Sequence, residues 1–502
     1  MNKSRTLQIL FVGAAILALL LFIVRYFLGL QWHHLTPGPE TTRITGPLLP
    51  DGRVDYIAAI NQKYAVDPAD NAAIPLIAAI GPERFVPDGR ASLFLAGIKS
   101  PPIPEPPQPF QTFVDYLEKT LGKDLDRKQE GQQWESLDAT KDGPWTAVDL
   151  PDVARWIAQI DPVLDKIAEA TRRPRYFIPE IPGADGSLMQ SILPQIGIYR
   201  EIATAFVARA TLHMGPPDTT ISEQDFHAVV SDLVAVQRLG RLQMQAPSLI
   251  ERLVGVAVLA RGCDGCRALL NNKLLTTQQA RILREEIEKL PPLPDMVECL
   301  DLYDRFALLD EVCLMALYGE DRPRGLSATL PAAPSVGPMS FGVLPAHFDE
   351  ILRYINAWND QIVAAARITD FQQRERQLLA LDVRIKAESR RFSSSTLKYR
   401  RIESSLAEIL TGKFKVFQVL TRLQEQLDLI DDGFRAVEAF SGNPPGEDTA
   451  RTWANALPAD RFTNTPVAIA VAERGLQVSS DGPAPPAGAA PRLIEVTVVL
   501  RK

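Results

Sequence analysis

The sequence predicts a mainly α protein, with an N-terminal transmembrane helix, an array of antiparallel helical hairpins and a small C-terminal β element. Three observations carry this reading. The run from Leu7 to Val24 (LQILFVGAAILALLLFIV) is uncharged, with Gln8 as its single polar side chain. The middle of the chain repeats apolar residues at helical spacing behind recognisable caps. Residues 446–502 then turn to short β-rich segments between Gly and Pro clusters.

At ~1.5 Å per residue the apolar run is about 27 Å long, enough to cross a bilayer core with help from Tyr26, Phe27 and Leu28. Lys3 and Arg5 precede it, and Arg25, Tyr26 and Trp32 follow as interfacial anchors. A cleaved signal peptide needs a small-residue site soon after the apolar run, whereas Arg25-Tyr26-Phe27-Leu28 is bulky. No Cys lies near enough for a lipoprotein anchor. Residues 1–30 therefore read as a cytoplasmic tip and an uncleaved signal anchor. Lys3, Arg5 and the α-amino group against Arg25 predict a cytoplasmic N-terminus, with the bulk of the chain outside the inner membrane.

Residues 31–52 read as a linker, because Pro and Gly interrupt any period. A helical domain over 53–319 follows. Within it Asp67-Pro68-Ala69-Asp70 has the form of a helix start, with the apolar run over 72–80 behind it and Gly81 as its stop. The Pro-rich residues 100–109 predict an exposed, extended connector. Ser222 opens a helix with Phe226, Val229, Val230, Leu233, Val236 and Leu239 on one face. Thr276 and Gln279 form a capping box, and Asp295 opens a helix reaching about Tyr318. Gly255, Ala257 and Ala260 are small enough to let two backbones approach closely. Residues 320–345 read as a second linker, 346–445 as a second helical segment and 446–502 as the β-containing end.

Several phrases resemble a family of uncharacterised single-pass membrane-anchored proteins of planctomycete bacteria. They are Asp55-Tyr56, Asn71-Ala72-Ala73, Glu169-Ala170-Thr171-Arg172-Arg173-Pro174-Arg175-Tyr176, Leu249 through Gly255, Leu290 through Pro294, and Asp304-Arg305-Phe306 with Leu309-Asp310. The family's D-P-F-x-G-x-P-like turn is matched here by Asp460 through Pro466, without its first Pro and its Gly. The resemblance implies a bacterial envelope location. It implies no activity and transfers no functional residue.

Composition narrows the function classes. With 46% hydrophobic and 23% charged residues the chain buries a real core, and net charge −7 with pI near 5.5 argues against a nucleic-acid partner. No phosphate-binding, nucleophile-elbow or dinucleotide-binding glycine motif occurs, so no cofactor is expected. The five histidines are scattered without metal-ligand spacing.

Three groups of side chains invite a chemical reading. Cys263 and Cys266 form a C-x-x-C within a helical run, which predicts a structural disulfide or an inert thiol pair ahead of redox or zinc chemistry. Cys299 and Cys313, fourteen residues apart on one helix, stand ~21 Å from each other and cannot complete a metal site. Glu298, Asp301 and Asp304, with Asp310 and Glu311 beyond, are the weak catalytic candidates, and a solvated, ion-paired helix face is the plainer account. Residues 384–422 carry ten basic and three acidic side chains. In that stretch Arg390, Arg391, Lys398, Arg400, Arg401, Lys413 and Lys415 mark an interaction patch for an acidic partner or anionic lipid.

The expected function is a membrane-anchored binding or scaffold module with a protein partner in the envelope. The competing expectation is a membrane-tethered hydrolase using the carboxylates of the 295–318 helix. A pocket gathering those acids would favour the hydrolase, and an open groove would favour the scaffold.

Overall fold

The computed structural model describes residues 35–86, 90–122, 127–183, 186–191, 193, 196–318, 348–393, 409–410, 414–441, 444–472, 475–480, 482 and 493–500. The run from Leu7 to Val24 and the 320–345 linker lie outside the described residues. Among the described residues no helix is long and apolar enough to cross a membrane. The chain is mainly helical and closes with a three-stranded sheet.

The N-terminal part runs through α1 (Tyr56–Tyr64), α2 (Ala73–Ile80), α3 (Pro82–Phe85), α4 (Ala91–Gly97), α5 (Phe113–Leu121), α6 (Arg127–Ala139) and α7 (Pro151–Ala170). Gly81 ends α2 as expected, at φ 101°, a backbone conformation open to glycine and costly for other residues. The start of α2 corrects the sequence reading. Asp67 accepts from the Ala69 N–H in a local turn, and it is Asn71 that accepts from the Ala73 N–H at the helix start. Residues 100–109 form no helix or strand, as the prolines require.

Within the expected linker over 31–52, residues 40–42 are held against the body. Asn356 donates to the carbonyls of Glu40 (3.0 Å) and Thr41 (2.7 Å), and the Tyr56 hydroxyl donates to Thr42 O. Thr41 and Thr42 are buried by these contacts. Pro and Gly prevent regular structure here without preventing burial.

The centre is formed by α8 (Ile196–His213), α9 (Glu223–Gln243) and α10 (Leu249–Asn272), joined by short connections and packed pairwise on each other. Ser222 caps α9, and Ser248 with Glu251 makes a capping box for α10. Their glycines set the spacing between helices. A Cβ on Gly255 would lie 2.7 Å from Gly240 O and 2.8 Å from Met244 N, so α9 and α10 meet backbone to backbone. Ala257, expected to share that contact, faces solvent.

α11 (Thr277–Glu288) begins with the Thr276–Gln279 capping box. The predicted helix over 295–318 is α12 (Met296–Cys299), a π-helical turn over Leu300–Asp304, and α13 (Arg305–Tyr318). Two helices follow, α14 (Phe348–Ala366) and α15 (Phe371–Ser393). α16 (Lys415–Phe440) then packs on both α10 and α11, and α17 (Glu447–Ala454) leads into the sheet.

Strands β1 (Ala468–Ala472), β2 (Gly475–Ser480) and β3 (Ile494–Val499) pair antiparallel in the order β1-β2-β3. Alternation orients them: Leu476, Val478, Val496 and Val498 are buried, while Gln477, Glu495 and Thr497 face outward. A Cβ at Gly433 of α16 would meet Leu270 of α10 at 2.8 Å and Val496 at 3.2 Å, so helix and sheet close tightly at this point.

Candidate functional site

Of the candidate catalytic carboxylates, Glu298 and Asp301 point to separate cations. Glu298 lies 3.6 Å from both Lys63 and Arg252, and Asp301 pairs with Arg305 (2.7 Å) and Arg367 (3.4 Å). Asp304 is partly buried. Asp310 is buried and accepts from Arg53 and from the Leu188 N–H. Arg305, the partner of Asp301, is fully buried and also reaches Asp360 at 2.7 Å. These acids hold the helix to its neighbours, and they do not converge on a common point.

All four cysteines are buried and unbonded. Burial pushes the thiols of Cys263 and Cys313 up to about 12 and that of Cys266 higher still. A thiol so raised has almost no thiolate at neutral pH. Among the described residues no group of His, Cys, Asp and Glu is arranged to hold a metal. Of the basic patch, Arg390, Arg391 and Lys415 are exposed, while Lys398, Arg400, Arg401 and Lys413 lie outside the described residues.

A buried polar cluster escapes the sequence reading. Residues 174–180 run extended without a neighbouring strand of any length, and 176–180 are buried. Amide side chains supply the missing backbone partners. Gln245 binds Tyr176 N–H and Pro174 O, Asn71 binds both backbone groups of Phe177, and Asn61 binds both of Glu180. This segment ends in Glu180, whose Oε2 lies 3.2 Å from the Tyr303 hydroxyl on the π-helical turn. Burial, then the nearby charge of Glu251, pushes the Glu180 carboxyl well above the usual carboxylate range. The Tyr176 and Tyr199 hydroxyls meet at 3.1 Å in the same region. Glu180 is 3% exposed and Glu251 1%, so the cluster is shut off from solvent.

An open cleft lies at the junction of α10, α16 and β3. Its volume is about 250 Å³, and it is lined by Arg267 and Asn271 of α10, Arg422 and Gln426 of α16, and Leu493, Ile494, Glu495 and Thr497 along β3. This is below the ~300–1,000 Å³ of typical small-molecule and cofactor sites. Arg267 is held by Asp264, and Glu495 accepts from Gln477 at 2.6 Å. The guanidinium of Arg422 and the amide of Gln426, one helical turn apart, have no hydrogen-bond or ion-pair partner among the described residues. Arg422 is the last basic residue of the 384–422 stretch, but it is not one of the seven residues that marked the expected patch. The contribution of β3 and α10 had no local signal.

Comparison of the chain with protein-family models, curated protein sequences and solved structures returns no match.

Proposed function

We propose that this chain is a membrane-anchored protein-binding module of the bacterial envelope, tethered through Leu7 to Val24 with its helical-hairpin body outside the inner membrane. The docking surface in this reading is the α10–α16–β3 cleft. The observation that supports it is Arg422, which has no hydrogen-bond or ion-pair partner among the described residues and stands on the wall of an open cleft. The hydrolase reading finds less support, because Glu298, Asp301 and Asp310 are each committed to a different cation.

The test is affinity capture of the full chain from a detergent extract of its own cells, beside the Arg422→Glu variant. A protein recovered in fixed ratio with the wild type and lost with the variant is the expected outcome. Recovery of the chain without any stoichiometric companion overturns the binding reading. Protease added to spheroplasts tests location: the body should be digested, and a body resistant until the membrane is permeabilised overturns the topology.

A further inference from the structure

The outward face of α15 departs from what a solvated helix carries. Leu378, Leu381, Ile385 and Ser389 are buried, and the opposite stripe consists of Arg376, Leu379, Ala380, Val383, Ala387 and Arg390, all exposed. Leu379 is 64% exposed and Val383, one turn on, 60%. No carboxylate falls on this stripe. The three of the helix lie on its flanks, where Glu375 accepts from Gln418, Asp382 from Lys386 and Glu388 from the Tyr354 hydroxyl. A surface of apolar and cationic side chains without an acid suits a layer of anionic lipid headgroups, which the apolar side chains enter while the guanidiniums meet phosphate.

The path of the chain brings this helix to the side from which the tether leaves. Thr36 donates its N–H to Asp349 Oδ1 at 2.9 Å, and Glu40 lies 3.6 Å from Arg353, so the first described residues are fixed to the start of α14. α14 and α15 run antiparallel, since Tyr354 reaches Glu388 while Arg384 donates to Gln361 at 3.2 Å. The start of α14 therefore stands beside the basic end of α15, which carries Lys386, Arg390 and Arg391. Residues 25–35 follow the apolar run, and a chain of that length spans at most about 40 Å. This keeps α15 within reach of the bilayer. A second copy is a poorer occupant, because antiparallel pairing of two such stripes sets Arg376 against Arg390.

Resting on the tether through Leu7 to Val24 proposed above, we infer that the outward face of α15 lies on the anionic surface of the membrane that the tether crosses, with Leu379 and Val383 in the headgroup layer and Arg376 and Arg390 on lipid phosphates. The tether supplies a high local concentration of lipid. A contact too weak to recruit a free protein is then enough to orient a tethered one.

The experiment uses the full chain reconstituted in liposomes of phosphatidylcholine, alone or with roughly one-third phosphatidylglycerol. Val383→Cys, exposed where the four native cysteines are buried, takes an environment-sensitive dye, and Val148→Cys, at a site 90% exposed, is the control. In the phosphatidylglycerol liposomes the label at position 383 should gain about twofold in emission and be quenched by spin-labelled lipid, and high salt should reverse both. Arg376→Glu together with Arg390→Glu should remove the gain, and Leu379→Cys carrying the same dye should reproduce it. The label at position 148 should stay in water throughout. An unchanged label at 383, an equal gain in phosphatidylcholine alone or an equal gain at 148 overturns the lipid assignment. So does a label at 383 that is shielded only in native envelope membranes, which would place a protein on this face. Flotation with phosphatidylcholine liposomes at high salt reads the tether separately. A chain that fails to float overturns the tether and this contact with it, whereas a chain that floats with its label at 383 in water overturns the contact alone.

Discussion

Asn71 holds Phe177 by both of its backbone groups: Asn71 Nδ2 donates to the Phe177 carbonyl at 2.9 Å, and the Phe177 N–H donates to Asn71 Oδ1 at 3.1 Å. The same oxygen accepts from the Ala73 N–H at the start of α2. One fully buried amide thus does for residues 174–180 what a neighbouring strand would do, and it orients a helix as well. The backbones of Asn71 and Arg175 meet at this junction in an isolated parallel bridge.

Asn71→Ala should destabilise the fold by about 2–4 kcal/mol, because two buried backbone groups and a helix start lose their partner at once. Asn61→Ala, whose side chain is only partly buried, should cost less, about 1–2 kcal/mol, since water can reach part of the site. Denaturant unfolding of both variants checks the order. Equal and small losses would show that the extended segment does not depend on its amide partners.

Gly255→Ala should cost about 1–3 kcal/mol, because the new Cβ meets backbone atoms of Gly240 and Met244, which do not yield as a side-chain tip does. Ala257→Ser, two residues on and exposed, should fall within about 0.5 kcal/mol of wild type. The pair of melting curves separates helix-to-helix contact from general sensitivity of α10.

Stability should rise as pH falls from 8 to 5. Burial lifts the carboxyls of Glu201, Glu425 and Asp432 to about 7 and that of Glu180 well above its usual range. The folded chain therefore holds more protons than the unfolded chain between the ordinary carboxyl values and about 7. More protons bound to the folded state means that unfolding free energy falls as pH rises through that window. Glu180→Gln, which keeps an acceptor for Tyr303 without the charge, should raise the melting temperature at pH 8 and flatten the slope. A wild-type melting temperature that climbs from pH 5 to pH 8 would contradict this.

Iodoacetamide should leave Cys263, Cys266, Cys299 and Cys313 unlabelled in the native protein and label all four after denaturation without reductant. All four are buried and unbonded, and burial keeps the thiols of Cys263, Cys266 and Cys313 protonated. Rapid native labelling of the C-x-x-C pair, or a peptide map with any bridge, would refute the inert reading.

What the sequence by itself determined was local. The caps at Ser222, Thr276 and Asp295 were legible because a side chain and the backbone it caps lie within three residues. The strands were legible from their composition and their turn-rich flanks, and alternation then fixed which residues of β2 and β3 face the core. The false start at Asp67 shows the limit of that logic: the local signal was real, and Asn71 took the helix because it also had Phe177 to hold.

Only the tertiary structure decided the rest. That Arg305 reaches Asp360, that Asn356 of α14 holds Glu40 and Thr41, and that Glu180 meets Tyr303 all rest on partners far apart in the chain. The cleft is the clearest case, since Arg267, Arg422 and Thr497 are scattered along the sequence and adjacent in space. The physical reason is that burial and the desolvation that comes with it belong to the packed surface and not to the residue. The sequence shows only that Arg422 ends a basic stretch, and packing alone sets it on the wall of a cleft beside Arg267 and Thr497.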